Sequence, residues 1–389
     1  MTDRNLTPEE TDLVRMTTEA TSLGHLIEKL ESMDPQERAA KSRVLAKGRR
    51  AIKAALTGTS GFLDARLMPL TAGLGSTPAQ TAATFDFSTV TSLEDDEAVA
   101  LLAGRGTDWV EKLVAALLRK RDHWWLSHLV GPLCVALDLQ LPGADHTAYW
   151  ASWARDNSDP TPGTRWQEHF LQACASPNAL TFPGLGRDES DIREKAMTLR
   201  EREPTNDPAL LDALLRVVER GDRPTAQQAV VHWLRALDLE DLLTAERPRL
   251  LAGLPNADKT VVKLFTECLL ADGLGDDDLT TLALDVLVRK EKGVKRDVLK
   301  ALRGVGAPSQ DLVGTVEALV ADADTATAEL ARELLDGWDA APPEEEPLGL
   351  WREPSLPVPE LLPEFTDDAL VLDEPALLRC SPTSTPAGG

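Results

Sequence analysis

Tyrosine is almost missing from this chain of 389 residues: there is one, against nine tryptophans. Cysteine is scarce too. The four, Cys134, Cys174, Cys268 and Cys380, stand far apart, with no C-x-x-C pair. That spacing argues against a disulfide framework and makes a reducing cytoplasm the expected home. Three of them sit in apolar helical text, where a thiol acts as a small hydrophobe. Positive charge is in deficit, with 41 Lys and Arg against 64 Asp and Glu, a formal charge of −23. Such a field repels nucleic acid and anionic lipid at long range. No apolar run approaches the roughly 20 residues that a membrane-spanning helix needs. The longest, Leu129 to Leu137, is interrupted by Pro132. The opening "MTDRNLTPEETDLV" is polar and acidic, unlike a signal peptide.

Catalytic and ligand motifs are also missing. There is no G-x-x-x-x-G-K-[ST], no H-E-x-x-H and no G-x-S-x-G. "HWWLSH" spaces two histidines by five, whereas a shared helix face needs three or four. The run Asp276 to Asp278 lacks the alternating ligands of an EF-hand and reads as first-turn helix charge. The chain therefore offers no catalytic residue, no cofactor site and no metal site that sequence alone can name.

What the chain does have is helical periodicity, and enough apolar residues, 42%, to bury a core. "TPEETDLV" opens a helix with Thr7 as cap, Pro8 in the first turn and acids following. "DPQERAAKSRVLAKGRRAIKAAL" opens another, with Asp34 as cap and a buried stripe at Val44, Leu45, Ile52 and Leu56. Only "TAATFDFSTV" (Thr81 to Val90) reads as a strand. "TDWVEKLVAALLRKRDHWWLSHLVGPLCVALDL" gives two helices or a kinked pair, and "TRWQEHFLQACA" one more.

From Asp207 the text becomes regular. The second helices of successive pairs begin near Pro224, Asp258, Gly293 and Asp324, at intervals of roughly 31–35 residues, the period of an α-solenoid. One amphipathic pair cannot bury its own face, whereas stacked pairs can. The expected fold is all-α: residues 1–206 an irregular N-terminal helical region with a Trp-rich junction, 207–340 HEAT-like helical repeats, and 341–389 a Pro/Glu-rich linker or tail.

"DWVEKLVAALLRKRDHWWLSHLV", the regular block from Asp207 to Trp338 and the Pro-rich stretch after it resemble a mainly actinobacterial family of HEAT-like repeat proteins. The resemblance covers about Thr7 to Trp338 and matches the N-terminal half of longer members, so this chain is expected to be a shortened form. It implies a repeat fold and brings no activity and no catalytic residues.

Two stretches stand out as candidate binding surfaces. Five of the eight residues from Arg289 to Arg296 are basic: Arg289, Lys290, Lys292, Lys295 and Arg296. A helix–helix turn broken at Gly293 explains Arg289, Lys290 and Lys292 as cations at a helix C-terminus. It leaves Lys295 and Arg296, in the first turn of the next helix, unexplained. The second stretch is the aromatic junction with Trp124, Trp125, Trp150 and Trp153, either a packed seam or an exposed anchor patch. The expected function is a non-catalytic scaffold that presents a solenoid groove to a protein partner, one with a basic surface. A nucleic-acid-binding solenoid using the basic clusters, and an enzyme domain with its site at the Trp-rich junction, are the alternatives. No membrane partner is expected.

Overall fold

Helix α1 (Pro8–Glu19) begins with the hydrogen bonds its sequence calls for: the Glu10 amide donates to Thr7 Oγ1 at 3.2 Å and the Thr7 amide to Glu10 Oε2 at 2.9 Å. This reciprocal cap satisfies two backbone donors that a helix start leaves over. The computed structural model describes residues 6–58, 66–85, 95–120, 126–181, 188–306 and 308–338. Among these residues every regular element is helical and there is no strand. The Pro/Glu-rich residues 341–389 lie outside them.

After α1 come α2 (Leu23–Glu31), α3 (Pro35–Gly58) and α4 (Leu67–Gly73). Asp34 caps α3, accepting from the Gln36 and Glu37 amides. Leu45, Ile52 and Leu56 of α3 meet Leu13 of α1 and Leu26 and Leu30 of α2 in a small core of their own. Each fully buried leucine there contributes roughly 1.5–3 kcal/mol relative to exposure.

A second, much larger core runs without interruption from Met68 to Leu335. Helices α5 (Pro78–Ala82), α6 (Asp95–Ala103), α7 (Thr107–Leu118), α8 (Ser127–Ala136) and α9 (Thr147–Asp156) form its first part. Then follow α10 (Trp166–Ala175), α11 (Glu189–Arg202), α12 (Asp207–Glu219), α13 (Pro224–Ala236), α14 (Arg247–Gly253), α15 (Lys259–Ala271), α16 (Asp276–Leu287), α17 (Lys292–Ala301), α18 (Gln310–Asp322) and α19 (Thr325–Gly337). These pack by a simple rule: α10, α12, α14, α16 and α18 each touch the next in that series, and so do α11, α13, α15, α17 and α19. Within the pairs α12–α13, α14–α15, α16–α17 and α18–α19 the two helices also pack on each other. The sequence pattern supports the rule. Helix α13 buries nine residues, including Ala226, Val230, Trp233 and Leu234, too wide a stripe for one neighbour.

Three local expectations change. Thr81 and Ala82 end helix α5, capped by Thr77 and Gln80, rather than starting a strand; residues 86–90 of that stretch lie outside the described residues. The capping box and Pro78 outweigh the alternation of small and aromatic residues after them. Gly293 does not break a helix either: α17 starts at Lys292, and the turn is Val288–Glu291. Finally, the helix-to-helix relation found from residue 207 onward also links α10 to α12 and α11 to α13.

Some helix ends need a left-handed residue. Asp138 (φ 51°) and Asp238 (φ 55°) supply it after α8 and α13, and the next amide reaches back to Cys134 O and Leu234 O, both at 2.8 Å. Aspartate tolerates this region better than most residues. At Gly314, inside α18 and exposed, a Cβ would meet nothing within 4 Å. Gly314→Ala is expected to stabilise the protein by about 0.5–1 kcal/mol, read as a higher urea midpoint.

Candidate functional site

The basic turn is largely occupied by the fold itself. The Arg289 guanidinium points inward and donates to the carbonyls of Leu254 (3.1 Å) and Ala257 (2.6 Å), just before α15. It does not neutralise the end of its own helix. Lys292 Nζ lies 4.0 Å from the carboxylate of Asp324, the residue before α19, which accepts from Thr327 Oγ1. Asp324 is held below the usual carboxylate range first by the Thr327 hydroxyl and then by Lys292 and Arg296. Arg296, unexplained from sequence, therefore faces an acid of the next pair, and its Nε donates to Lys292 O at 3.2 Å. Lys290 is exposed and Lys295 half-buried.

Arg289 belongs to a series. Arg165 Nη1 donates to Leu139 O at 2.7 Å and Cys134 O at 3.3 Å, closing the end of α8. Arg220 donates to Cys174 O at 2.9 Å and Ala175 O at 3.3 Å, closing the end of α10. Between them, Gln227 Nε2 donates to Asp222 O and Asn256 O while its Oε1 accepts from the Asp258 amide. Trp338 Nε1 completes the run on Val305 O at 3.1 Å. These leftover carbonyls near helix ends are thus satisfied by side chains from later elements. Sequence reading sees the donors and cannot see the acceptors, because all of these but Asp222 O lie 26 to 46 residues away.

Trp124 and Trp125 lie outside the described residues. Trp150 and Trp153 are brought together on α9, buried at 0% and 4% exposure, with ring centroids 6.0 Å apart. His169 of α10 joins them, stacked on Trp153 at 5.6 Å. Next to this group lies a second aromatic cluster: Trp166 and Phe170 of α10 against Trp233 of α13. Two indole N–H groups here have partners: Trp150 donates to Gly143 O (3.0 Å) and Trp166 to Ser158 O (2.8 Å).

The junction is not solid. A cavity of about 550 Å³ opens between α8, α9, α10 and the 157–164 loop, with Trp153, Trp166 and His169 on its wall. Pro132 of α8 also lines it and has no amide proton to give the His128 carbonyl one turn back. Gly131 lets the wall approach: a Cβ there would stand 3.4 Å from His169 Nε2 and 3.5 Å from Tyr149 Oη. Arg165, which starts α10, adopts a left-handed conformation (φ 53°) while its guanidinium grips Glu168 and two carbonyls. Backbone strain of this kind costs about 1–3 kcal/mol and persists where the surroundings hold it.

Burial holds His169 below the ordinary histidine value, against the pull of its 3.0 Å contact with Arg165 O. A buried neutral histidine binds its proton more readily in the unfolded chain. Stability is therefore full above about pH 6.5 and falls as pH drops below it, by up to about 1.4 kcal/mol per unit for one such group. Urea midpoints at pH 7.5 and 5.5 are expected to differ less in His169→Gln than in the wild type. The thiols of Cys134, pushed up to about 11, and of Cys174, raised well above the usual value, are kept protonated by burial. Among the described residues no group of three or more His, Cys, Asp and Glu is placed to hold a metal ion, and no helix is long and apolar enough to cross a membrane. No protein-family model, curated protein or solved structure was found to match the chain.

Proposed function

We propose that the paired helices of residues 207–338 form a HEAT-like α-solenoid and that the protein is a non-catalytic scaffold for a protein partner. The observation that carries this reading is the packing rule of the helices, each against the next of its own series. Such an array offers a surface built from several repeats, which suits recognition of an extended partner. A groove of about 550 Å³ between α15 and α17 supplies a place for it. Leu270 and Val294 give it apolar lining, and Lys259, Lys263 and Lys292 stand beside Glu267 and Asp297. Thr266 Oγ1, buried and on the wall, has no hydrogen-bond partner among the described residues. The charge of −23 favours encounter with a partner whose surface is basic overall.

The test is cross-linked capture from the native host with wild-type protein and Gly293→Trp. Gly293 lines the groove, and its Cβ would meet nothing within 4 Å, so the indole blocks the groove without a clash at the backbone. One protein enriched with the wild type and reduced at least about tenfold with the variant supports the scaffold reading. Identical captures, or none, count against it. The nucleic-acid alternative is tested by a gel shift at low salt with Lys292→Glu and Lys295→Glu as controls. A shift that both substitutions abolish would replace the protein partner with a nucleic acid.

A further inference from the structure

The junction cavity shares no lining residue with the groove between α15 and α17, and its chemistry is one-sided. Its size falls within the roughly 300–1,000 Å³ typical of small-molecule sites. Val99, Pro132, Val135, Trp153 and Trp166 make the apolar part of its wall. Among the described residues no lysine or arginine lines it.

The polar part of the wall accepts hydrogen bonds and offers few. His169 Nδ1 meets the Arg165 carbonyl, which can only accept, so Nδ1 carries the proton and Nε2 keeps its lone pair. Thr164 Oγ1 donates to Thr161 O at 2.6 Å, and Thr161 Oγ1 to Asp159 O at 3.2 Å. The Asn157 amide donates to Ser127 Oγ at 2.8 Å, which leaves its carbonyl oxygen as an acceptor. Ser127 shares a further bond with Ser152 at 2.9 Å. The hydroxyl protons of Thr161 and Thr164 and one amide proton of Asn157 are thus engaged inside the protein, while their lone pairs remain.

Two carboxylates complete the wall, Asp156 and Asp159. Arg155 grips Asp156 in a two-pronged pair at 3.0 and 2.8 Å, and Lys195 holds Asp159 at 2.5 Å. Neither cation lines the cavity, so the face that a guest meets is carboxylate, indole and lone pair. Among the described residues an anion entering would find no donor cluster and no cation. An ammonium group would find acceptors on one side and indole rings, which attract cations, on the other.

We propose that this cavity is a binding site for an organic cation, a small ammonium group on an apolar body. The ammonium sits toward Asp156, Asp159 and the Asn157 carbonyl oxygen, and the apolar body against Trp153, Trp166 and Val135. Asp156 and Asp159 are already partnered, so they attract the guest as acceptors with residual charge rather than as isolated ions.

The experiment is isothermal titration calorimetry of the full chain with three probes of similar size: benzyltrimethylammonium, benzyl alcohol and benzoate. The expected result is saturable binding of the ammonium probe, at least about tenfold tighter than that of either other probe. Two variants locate it. Ala136 lines the cavity and is exposed, so Ala136→Trp fills the mouth with little strain on the core and is expected to abolish binding. Asp159→Asn is expected to weaken binding about tenfold, and its circular-dichroism spectrum reports whether it folds. The ammonium selectivity and the Ala136→Trp result decide the question even if Asp159→Asn does not fold. Absence of saturation up to about 10 mM overturns the proposal, as does equal affinity for benzoate or benzyl alcohol. Binding that survives Ala136→Trp overturns it as well, because the probe then sits elsewhere.

Discussion

Arg220→Ala is expected to destabilise the folded chain by about 3–5 kcal/mol, the cost of leaving a buried charge without its partner. The charge is Asp222, 5% exposed, whose carboxylate accepts Arg220 Nε and Nη2, both at 2.7 Å, and the Asn178 amide at 2.8 Å. The same guanidinium closes the end of α10 on Cys174 O and Ala175 O. Alanine removes both services at once. Arg220→Lys keeps the charge but loses the planar fork, so its loss is expected to lie between those of wild type and alanine. Asp222→Asn on the alanine background is expected to recover part of the stability by removing the uncompensated charge. Urea denaturation followed by far-ultraviolet circular dichroism measures all three. A loss below about 1 kcal/mol for Arg220→Ala would mean that water replaces the guanidinium, and that the carbonyl-closing series is ornamental.

That series also marks the limit of what the sequence discloses. Local signals carry local structure: Thr7 with Glu10, Asp34 and Asp258 all cap the helices they precede. The stripe of Val294, Val298, Leu299 and Leu302 is buried as its spacing requires. Helix α2 escapes notice because its nine residues give barely two turns of periodicity, and Ser22 is one serine among several polar residues. The inward turn of Arg289 is not legible at all. In sequence it is a cation at a helix end, and only packing brings Leu254 O and Ala257 O within its reach. One signal for the helix ends was present: "ALDL" occurs at Ala136 to Leu139 and again at Ala236 to Leu239, and both aspartates take the left-handed conformation. The cavity had no such signal. It is a volume left between α8, α9 and α10, and no residue spacing encodes a gap. The tryptophans did mark the junction, but Trp150 and Trp153 are there as buried aromatic packing, with Trp153 also on the cavity wall.

Trp233→Ala is expected to cost about 3–5 kcal/mol, whereas Trp233→Phe should cost less than about 1.5 kcal/mol. Trp233 is wholly buried, 5.0 Å from the Phe170 ring centroid and 5.9 Å from that of Trp166, and it joins α13 to α10. Alanine there empties a volume that the Trp166 and Phe170 rings help to define, and a close-packed interior collapses only partly around it. Phenylalanine keeps most of that volume. It also removes an indole N–H that has no hydrogen-bond partner among the described residues, so the change sacrifices no polar contact. The two substitutions therefore separate ring volume from ring polarity. Equal losses would show that Nε1 is satisfied in solution. A small loss for alanine would show that the Trp166–Phe170–Trp233 cluster is loosely packed. Because Trp166 lines the junction cavity, Trp233→Ala is also expected to weaken the ammonium probe at that site, while Trp233→Phe leaves it unchanged.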